Sequence, residues 1–138
     1  MKKPTKKAAN RIVYLISSAV LLCSGILSMP KLANAKDNYP CGKPTTNKWG
    51  ETVQYCPITQ GNVPVFDANL KVVGYLNKGG TANWFYCQFS WGKYKKGNLE
   101  NNWWAYTRAD NLQLGFVNEV YFKGGNNNER DAALKVCD

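Results

Sequence analysis

Residues that could carry catalysis are sparse in this sequence. It contains no histidine, so acid–base and nucleophile relays built on imidazole are absent. Ser90 is the only serine after position 35, and no nucleophile-elbow pattern surrounds it. The carboxylates that could pair in space for glycoside cleavage are Glu100, Asp110, Glu119 and Glu129. Carboxylates scattered singly at turns are typical of a solvated surface, so we expect no enzymatic activity.

Metal ligands are also poorly spaced. Glu129, Asp131 and Asp138 could hold Ca²⁺, but their spacing matches no calcium-binding loop. The cysteines form no Cys-x-x-Cys pair and have no histidine partner, so they do not match a zinc site. We interpret the C-terminal carboxylates as a solvated tail and expect no metal or other cofactor.

A stretch rich in aromatic and basic residues offers binding chemistry instead. Residues 81–106 contain nine of the eighteen aromatic side chains. The residues that could line one wall of a ligand groove are Trp91, Lys93, Tyr94, Lys95 and Lys96. Their ammonium groups would meet carboxylates, and their rings would stack on peptide or sugar faces. The alternative is a solvated loop whose aromatic side chains lie along the surface.

Two strand-like runs, at 81–89 and 103–107, flank this loop. Their aromatic and β-branched residues suit a half-buried pleated surface. Period two places Phe85, Cys87 and Phe89 on one face, which we expect to be the interior face. The opposite face carries Trp84, Tyr86 and Gln88.

The first 35 residues have the three-part pattern of a secretory signal peptide. The positively charged start contains Lys2, Lys3, Lys6, Lys7 and Arg11. An uncharged, largely apolar stretch follows at 12–29, and Pro30 ends any helix. Ala33 and Ala35 place small residues at the two positions that a signal peptidase reads.

Two alternatives to cleavage are open. The apolar stretch is close to the length that spans a membrane, which would leave an uncleaved anchor. Cys23 invites a lipid anchor, but Leu22 stands where lipidation signals have a small residue. We favour cleavage and expect a secreted protein that keeps no stable membrane anchor and that can associate with the cell wall.

Cleavage changes the charge of the protein. The whole chain has a formal charge of +9, but residues 36–138 hold twelve basic and nine acidic residues, a formal +3. A charge of +3 is ordinary for the surface of a small domain. The sequence therefore does not predict binding to nucleic acid.

Four cysteines remain after position 35: Cys41, Cys56, Cys87 and Cys137. An even number in an exported chain indicates two disulfides, which brace a small core. Three pairings are open. We favour Cys41–Cys56, which closes a short N-terminal loop, and Cys87–Cys137, which ties the C-terminal tail to a central strand.

Many short strands separated by turn signals predict an all-β domain. We expect an irregular arm at 36–61, the folded domain at 62–123 and a tail at 124–138. Pro64 cannot donate a hydrogen bond to a neighbouring strand, so its strand should lie at an edge or be irregular. Residues 119–122 form either a last short strand or a 3₁₀ turn.

The folded domain contains an ordered set of motifs. They are Val-x-Gly-x-Leu-x-x-Gly at 72–79, Asn-x-Trp-Trp at 101–104 and Gly-Phe-Val at 115–117. In this order they resemble bacterial SH3-like (SH3b) domains. With Asn-Glu-Val-Tyr-Phe at 118–122 and Gly-Gly-Asn-Asn at 124–127, the chain resembles small secreted SH3-domain proteins of Gram-positive bacteria.

Two departures from that pattern lie where some SH3b domains touch ligands. The usual Arg-Ser-Gly-Pro is replaced by residues 64–68, and the tryptophan of Gly-Trp-Val is Phe116. The resemblance therefore does not supply the identity of the ligand.

The resemblance implies a small SH3-like β-barrel whose ligand groove is floored by Trp103, with Trp104 and Tyr106 packed inward. The alternative is that Trp103 only caps the barrel. Two functions follow. The first is a non-catalytic module that binds cell-wall peptide or polymer through an aromatic and basic groove. The second is a secreted protein that binds another extracellular protein, as an inhibitor or effector.

Overall fold

The computed structural model of the protein describes residues 40–138, and this part of the chain is all-β. The predicted signal peptide, residues 1–35, lies outside the described residues. Within 40–138 the helical structure is a 3₁₀ turn at Glu119–Tyr121, one of the two outcomes expected there. The strands are β1 Thr45–Thr46, β2 Thr52–Tyr55, β3 Val63–Phe66, β4 Val72–Leu76, β5 Trp84–Phe85, β6 Cys87–Lys96, β7 Leu99–Arg108 and β8 Leu114–Asn118. No helix in this part of the chain has the length and apolar character needed to cross a membrane.

The strands form two open antiparallel sheets. The larger sheet has the order β4-β3-β8-β7-β6, and the smaller has the order β1-β2-β5. The all-β prediction is therefore confirmed, while the sheets do not close into a barrel. The strands β1 and β2 form a hairpin within the region predicted as an irregular arm, because Thr45 and Thr46 pair with Val53 and Thr52.

The longest hairpin, β6–β7, corrects the prediction of a loop between residues 89 and 103. Strand β6 continues to Lys96 and β7 begins at Leu99, so only a tight turn separates them. Gly97 takes a positive φ of 59° in that turn, a conformation that glycine adopts without steric cost. A bulge between Ser90 and Tyr94 interrupts the pairing. The basic and aromatic residues therefore lie on strands.

Strand β3 shows how the sheet accommodates Pro64. Its pairing with β8 is limited to Phe66 opposite Phe116, so Pro64 has no strand partner on that side. The register with β4 also shifts between Val65 and Phe66. This matches the expectation of an irregular strand, since proline lacks the N–H that continuous pairing needs.

The outer edge of β4 is covered by the turn between β7 and β8. The Asp110 N–H donates to the Tyr75 carbonyl at 3.0 Å, and the Asn111 side chain donates to the Val73 carbonyl at 2.8 Å. A Cβ at Gly74 would lie 2.6 Å from that of Ala109, so only glycine permits this close approach. Covered edges do not template pairing with other chains.

The apolar core lies between the sheets and the 3₁₀ turn. Its fully buried members include Ile58, Val63, Val65, Phe85, Ala105 and Val117. Phe85 is interior as predicted, but the prediction for the residues after it was wrong. The chain leaves the strand at Tyr86, which shifts the alternation, so Gln88 is fully buried while Phe89 is half-buried.

Both disulfides have the favoured pairing, Cys41–Cys56 and Cys87–Cys137. The second holds the C-terminal tail beside β6, where the tail and strand exchange backbone hydrogen bonds around Gln88. The Gln88 side chain donates to the carbonyls of Asp131 and Leu134. The buried amide therefore serves to dock the tail, because a buried polar group needs hydrogen-bond partners. Two disulfides indicate folding in an oxidising environment.

Candidate functional site

One surface of the larger sheet is covered by aromatic side chains. Strand pairing brings them to the same side, since Phe89 lies opposite Trp104 and Tyr106 opposite Phe116. We call this surface the aromatic face; its members are Phe66, Phe89, Trp91, Trp104, Tyr106 and Phe116. Neighbouring rings are 5.1–6.3 Å apart between centroids, within the range of favourable aromatic contacts.

Trp104 is the buried centre of the aromatic face. Its side chain is 1% exposed and packs against the rings of Trp91, Phe66 and Tyr94 at 5.4–5.8 Å. Its indole N–H donates to the Gly92 carbonyl at 2.7 Å, so the β6 bulge folds over the ring. Trp104 is therefore buried as expected, but among other aromatic rings rather than in the main apolar core, and Tyr106, which was expected to pack inward with it, is only half-buried.

Trp91 is the exposed member of the aromatic face. It remains 39% exposed although its ring contacts Trp104, Phe89 and Phe116. Phe89 and Phe116 are themselves only half-buried. Together the three rings form a packed apolar surface that is open to solvent.

The lysines of the same hairpin lie beside this surface and have partners of their own. The Lys93 and Lys95 amines lie 3.0 and 3.7 Å from the two carboxylate oxygens of Glu100. A hydrogen bond from Asn128, followed by the Lys93 contact, holds the pKa of Glu100 below its usual value. Lys96 donates to Gln60 and its amine lies 4.8 Å from the Tyr121 ring centroid. Because the single carboxylate of Glu100 pairs with both Lys93 and Lys95, the hairpin carries a net positive charge.

Trp103 lies apart from the other predicted groove residues. It precedes Trp104 on a strand, so the two side chains point to opposite faces of the sheet. Trp103 is half-buried, with the guanidinium carbon of Arg130 5.9 Å from its ring centroid. The six predicted residues are thus spread over more than one surface: Trp91 and Tyr94 meet at Trp104, while Trp103 faces the C-terminal tail.

The structure has a second surface of aromatic and basic residues that the sequence patterns did not predict. A cleft of about 300 Å³ lies where the β1–β2 hairpin meets β5 and the end of β7. We call it the Trp49 cleft; it is lined by Asn47, Lys48, Trp49, Tyr55, Trp84, Arg108, Ala109, Asp110 and Leu112. The pairing of β2 with β5 brings Tyr55 opposite Trp84. The available signal was the Lys48-Trp49 pair in a segment that was treated as an irregular arm.

Glu51 anchors the wall of the Trp49 cleft. Its carboxylate accepts hydrogen bonds from Asn47 at 2.9 Å and Tyr86 at 2.7 Å, and lies 3.4 Å from the Arg108 guanidinium. The bonds from Asn47 and Tyr86, with Arg108, lower the pKa of Glu51. Burial and the bond to Glu51 raise the pKa of Tyr86. This network fixes Arg108 at the edge of the cleft.

The other candidate carboxylates have structural partners. Asp110 accepts from the Asn77 N–H, and Glu129 accepts from the backbone and side chain of Asn126. Asp131 accepts from the N–H groups of Cys41, Ala133 and Leu134. No group of three or more metal-ligating side chains occurs within residues 40–138.

No protein-family model, curated protein or solved structure matches this chain. The aromatic face and the Trp49 cleft are therefore interpreted from their own geometry, and the resemblance to SH3b domains stays a prediction.

Proposed function

We propose that this chain is a secreted, non-catalytic binding module that holds peptidoglycan or a cell-wall peptide on its aromatic face. One observation carries the proposal. The exposed ring of Trp91 lies against half-buried Phe89 and Phe116, with Lys93 and Lys95 on the same strand. Exposed apolar surface with a polar rim is typical of interaction sites, and tryptophan is enriched among residues that anchor ligands.

The fold and cellular location belong to the same proposal. An SH3-like fold for residues 62–123 is part of the proposal; the antiparallel five-stranded sheet supports it, although its strands do not close into a barrel. Residues 1–35 direct export. The two disulfides support this location, since stable disulfides form outside the reducing cytoplasm.

The chemistry of a cell-wall peptide complements this surface. Trp91 offers a rigid ring on which peptide or sugar faces stack at a small cost in side-chain entropy. Lys93 and Lys95 are 60% and 75% exposed, so they can reach carboxylates of a ligand. Because these charges are exposed, they contribute a modest, salt-sensitive part of the affinity.

Retention on purified Gram-positive cell walls tests the proposal. The oxidised protein, secreted by a host and purified from its medium, is expected to sediment with the walls at low salt. Trp91→Ala should abolish most of this retention because it removes the central stacking surface. Tyr75→Ala is the matched control, since Tyr75 is another exposed aromatic residue on a different strand.

Three outcomes would contradict this assignment. The first is that the protein stays in solution at low salt, and the second is that Trp91→Ala is retained like the wild type. Loss of retention in Trp103→Ala alone would instead place the ligand on the surface beside Arg130. Co-purification of one defined secreted protein, with walls ignored, would favour the alternative function as a protein-binding inhibitor or effector.

A further inference from the structure

We propose that the Trp49 cleft is a second ligand site, which binds a sugar ring that carries a carboxylate. The cleft and the exposed Trp91 surface are built from different strands, so the site does not depend on retention through the aromatic face. The proposed site would bind a small ligand, in addition to the polymer that we propose is bound at the aromatic face.

The walls of the cleft suit a sugar ring. Trp49 and Trp84 meet edge to face, with centroids 5.7 Å apart, and Tyr55 lies beside Trp84 in the neighbouring strand. Trp49 is 45% exposed and Tyr55 is 40% exposed. The C–H groups on a pyranose face carry partial positive charge and are attracted to the negative face of an aromatic ring. The volume of about 300 Å³ lies at the lower end of small-molecule sites.

The charged groups of the lining favour an anionic substituent. The Lys48 amine lies 4.5 Å from the Trp49 ring centroid, and the Arg108 guanidinium carbon lies 5.4 Å from it. Asp110 is the one carboxylate in the lining, and its Oδ2 already accepts the Asn77 N–H. Lys48 has no ion-pair partner within residues 40–138. Because Glu51 already pairs with Arg108, the Lys48 ammonium is the charge that favours an anion beside the exposed indole.

The cationic edge is held in place before any ligand binds. Arg108 donates to the Leu112 carbonyl at 3.2 Å and lies 3.4 Å from both Glu51 and Tyr86. Its Nε is buried without a hydrogen-bond partner in the described structure. These contacts fix the guanidinium at the edge of the cleft, and a preformed site loses little entropy on binding.

The position of Trp49 is also preset. The Asn47 side-chain oxygen accepts the N–H groups of Trp49 and Glu51, both at 3.0 Å. Gly50 takes a positive φ of 79°, which completes the turn between β1 and β2. The Cys41–Cys56 disulfide closes the same hairpin. The ring therefore projects from a braced turn, as a preformed stacking surface requires.

Two sugars that differ by a carboxylate test the proposal. N-acetylmuramic acid carries a lactyl carboxylate that N-acetylglucosamine lacks, and ligand-observed NMR can follow each with the full, oxidised protein. We expect saturable binding of both, with N-acetylmuramic acid about three- to fivefold tighter, the size of one exposed charge contact. Lys48→Gln should remove that preference, and Trp49→Ala should weaken binding of both sugars.

Matched variants separate this site from the aromatic face. Lys71→Gln removes an exposed charge just before β4 and should leave the preference unchanged. Trp91→Ala should leave the preference for N-acetylmuramic acid unchanged even where it abolishes retention on walls. Equal affinity for the two sugars, or no saturable binding, would overturn the proposal. Tighter binding of a dipeptide through its terminal carboxylate would also overturn it, in favour of a peptide site.

Discussion

At the scale of single residues, Glu119 is an unusual carboxyl group. It is only 4% exposed, and its Oε2 accepts the Asp131 N–H at 2.8 Å, while Oε1 is buried without a partner in the described structure. Burial raises its pKa to about 8, and the nearby Asp131 carboxylate adds to the rise, while the Asp131 N–H bond and Arg130 oppose it. Glu119 is therefore largely uncharged at neutral pH.

This raised pKa predicts a specific pH dependence of stability. The folded state keeps the proton of Glu119 up to about pH 8, whereas the unfolded chain releases it near 4.5. The Glu119 contribution is therefore complete below pH 4.5 and declines as the pH rises towards 8. Urea unfolding at pH 5, 7 and 9 should show this decline in the wild type. The slope should be shallower in Glu119→Gln, which has no proton to lose; parallel curves would contradict the prediction.

Trp104 and Trp103 offer a second test at this scale. Trp104→Ala should lower the free energy of unfolding by about 3–5 kcal/mol, because it removes a buried ring packed against three others. Trp103→Ala should cost less, since Trp103 is only half-buried. Chemical denaturation of both variants measures the difference. A larger loss for Trp103→Ala would mean that the two faces are assigned wrongly.

At the scale of elements, the two disulfides brace different parts of the chain. Cys87–Cys137 spans 50 residues and holds the tail beside β6, whereas Cys41–Cys56 spans 15 residues within the N-terminal hairpin. A disulfide stabilises by lowering the entropy of the unfolded chain, and the effect grows with the length of the closed loop. The expected stabilisation is about 4 kcal/mol for Cys87–Cys137 and about 3 kcal/mol for Cys41–Cys56. The disulfide that holds the C-terminal tail is therefore expected to stabilise the fold more than the one in the N-terminal hairpin.

Removal of each disulfide tests this ordering. The double variant Cys87→Ala/Cys137→Ala should lose more unfolding free energy than Cys41→Ala/Cys56→Ala, as measured by urea denaturation. Hydrogen exchange should also show the Cys137 N–H, which bonds to the Gln88 carbonyl, becoming unprotected in the first variant. The reverse ordering, with the tail still protected, would show that hydrogen bonds and packing dock the tail without the disulfide.

The strands and disulfides also show which parts of the fold could be predicted from the sequence. The apolar runs and turn residues predicted an all-β chain, and the disulfide pairing favoured from their positions is confirmed. The sequence did not predict the end of β6 because its lysines and Gly92 are typical of a loop, whereas pairing with β7 across a tight turn makes it a strand. The shift that buries Gln88 arises from the break at Tyr86, which no period-two pattern contains.

The candidate site was only partly predictable for a similar reason. Trp91 and Tyr94 were identified because they are near each other in sequence, and both contact Trp104. The Trp49 cleft joins residues from three distant segments, and only the pairing of β2 with β5 assembles it. The local composition of each segment does not predict which distant segment it will pair with.

At the scale of the whole molecule, two surfaces with similar chemistry are linked by aromatic contacts. From Trp84 the rings of Tyr86, Tyr106 and Phe116 lead to Trp91, with neighbouring centroids 5.2–6.1 Å apart. In the proposed function, the exposed Trp91 surface holds the wall polymer, and the Trp49 cleft takes an acidic sugar. Both surfaces depend on a braced all-β frame that positions them before the ligand arrives.

The most direct test of the central claim is an NMR titration of the tryptophan indole N–H signals with soluble peptidoglycan fragments. We expect the Trp91 signal to shift with saturation while the Trp103 signal does not, and the fragments to be recovered intact by mass spectrometry. A shift confined to Trp103, an absence of any shift, or cleavage of the fragments would contradict it.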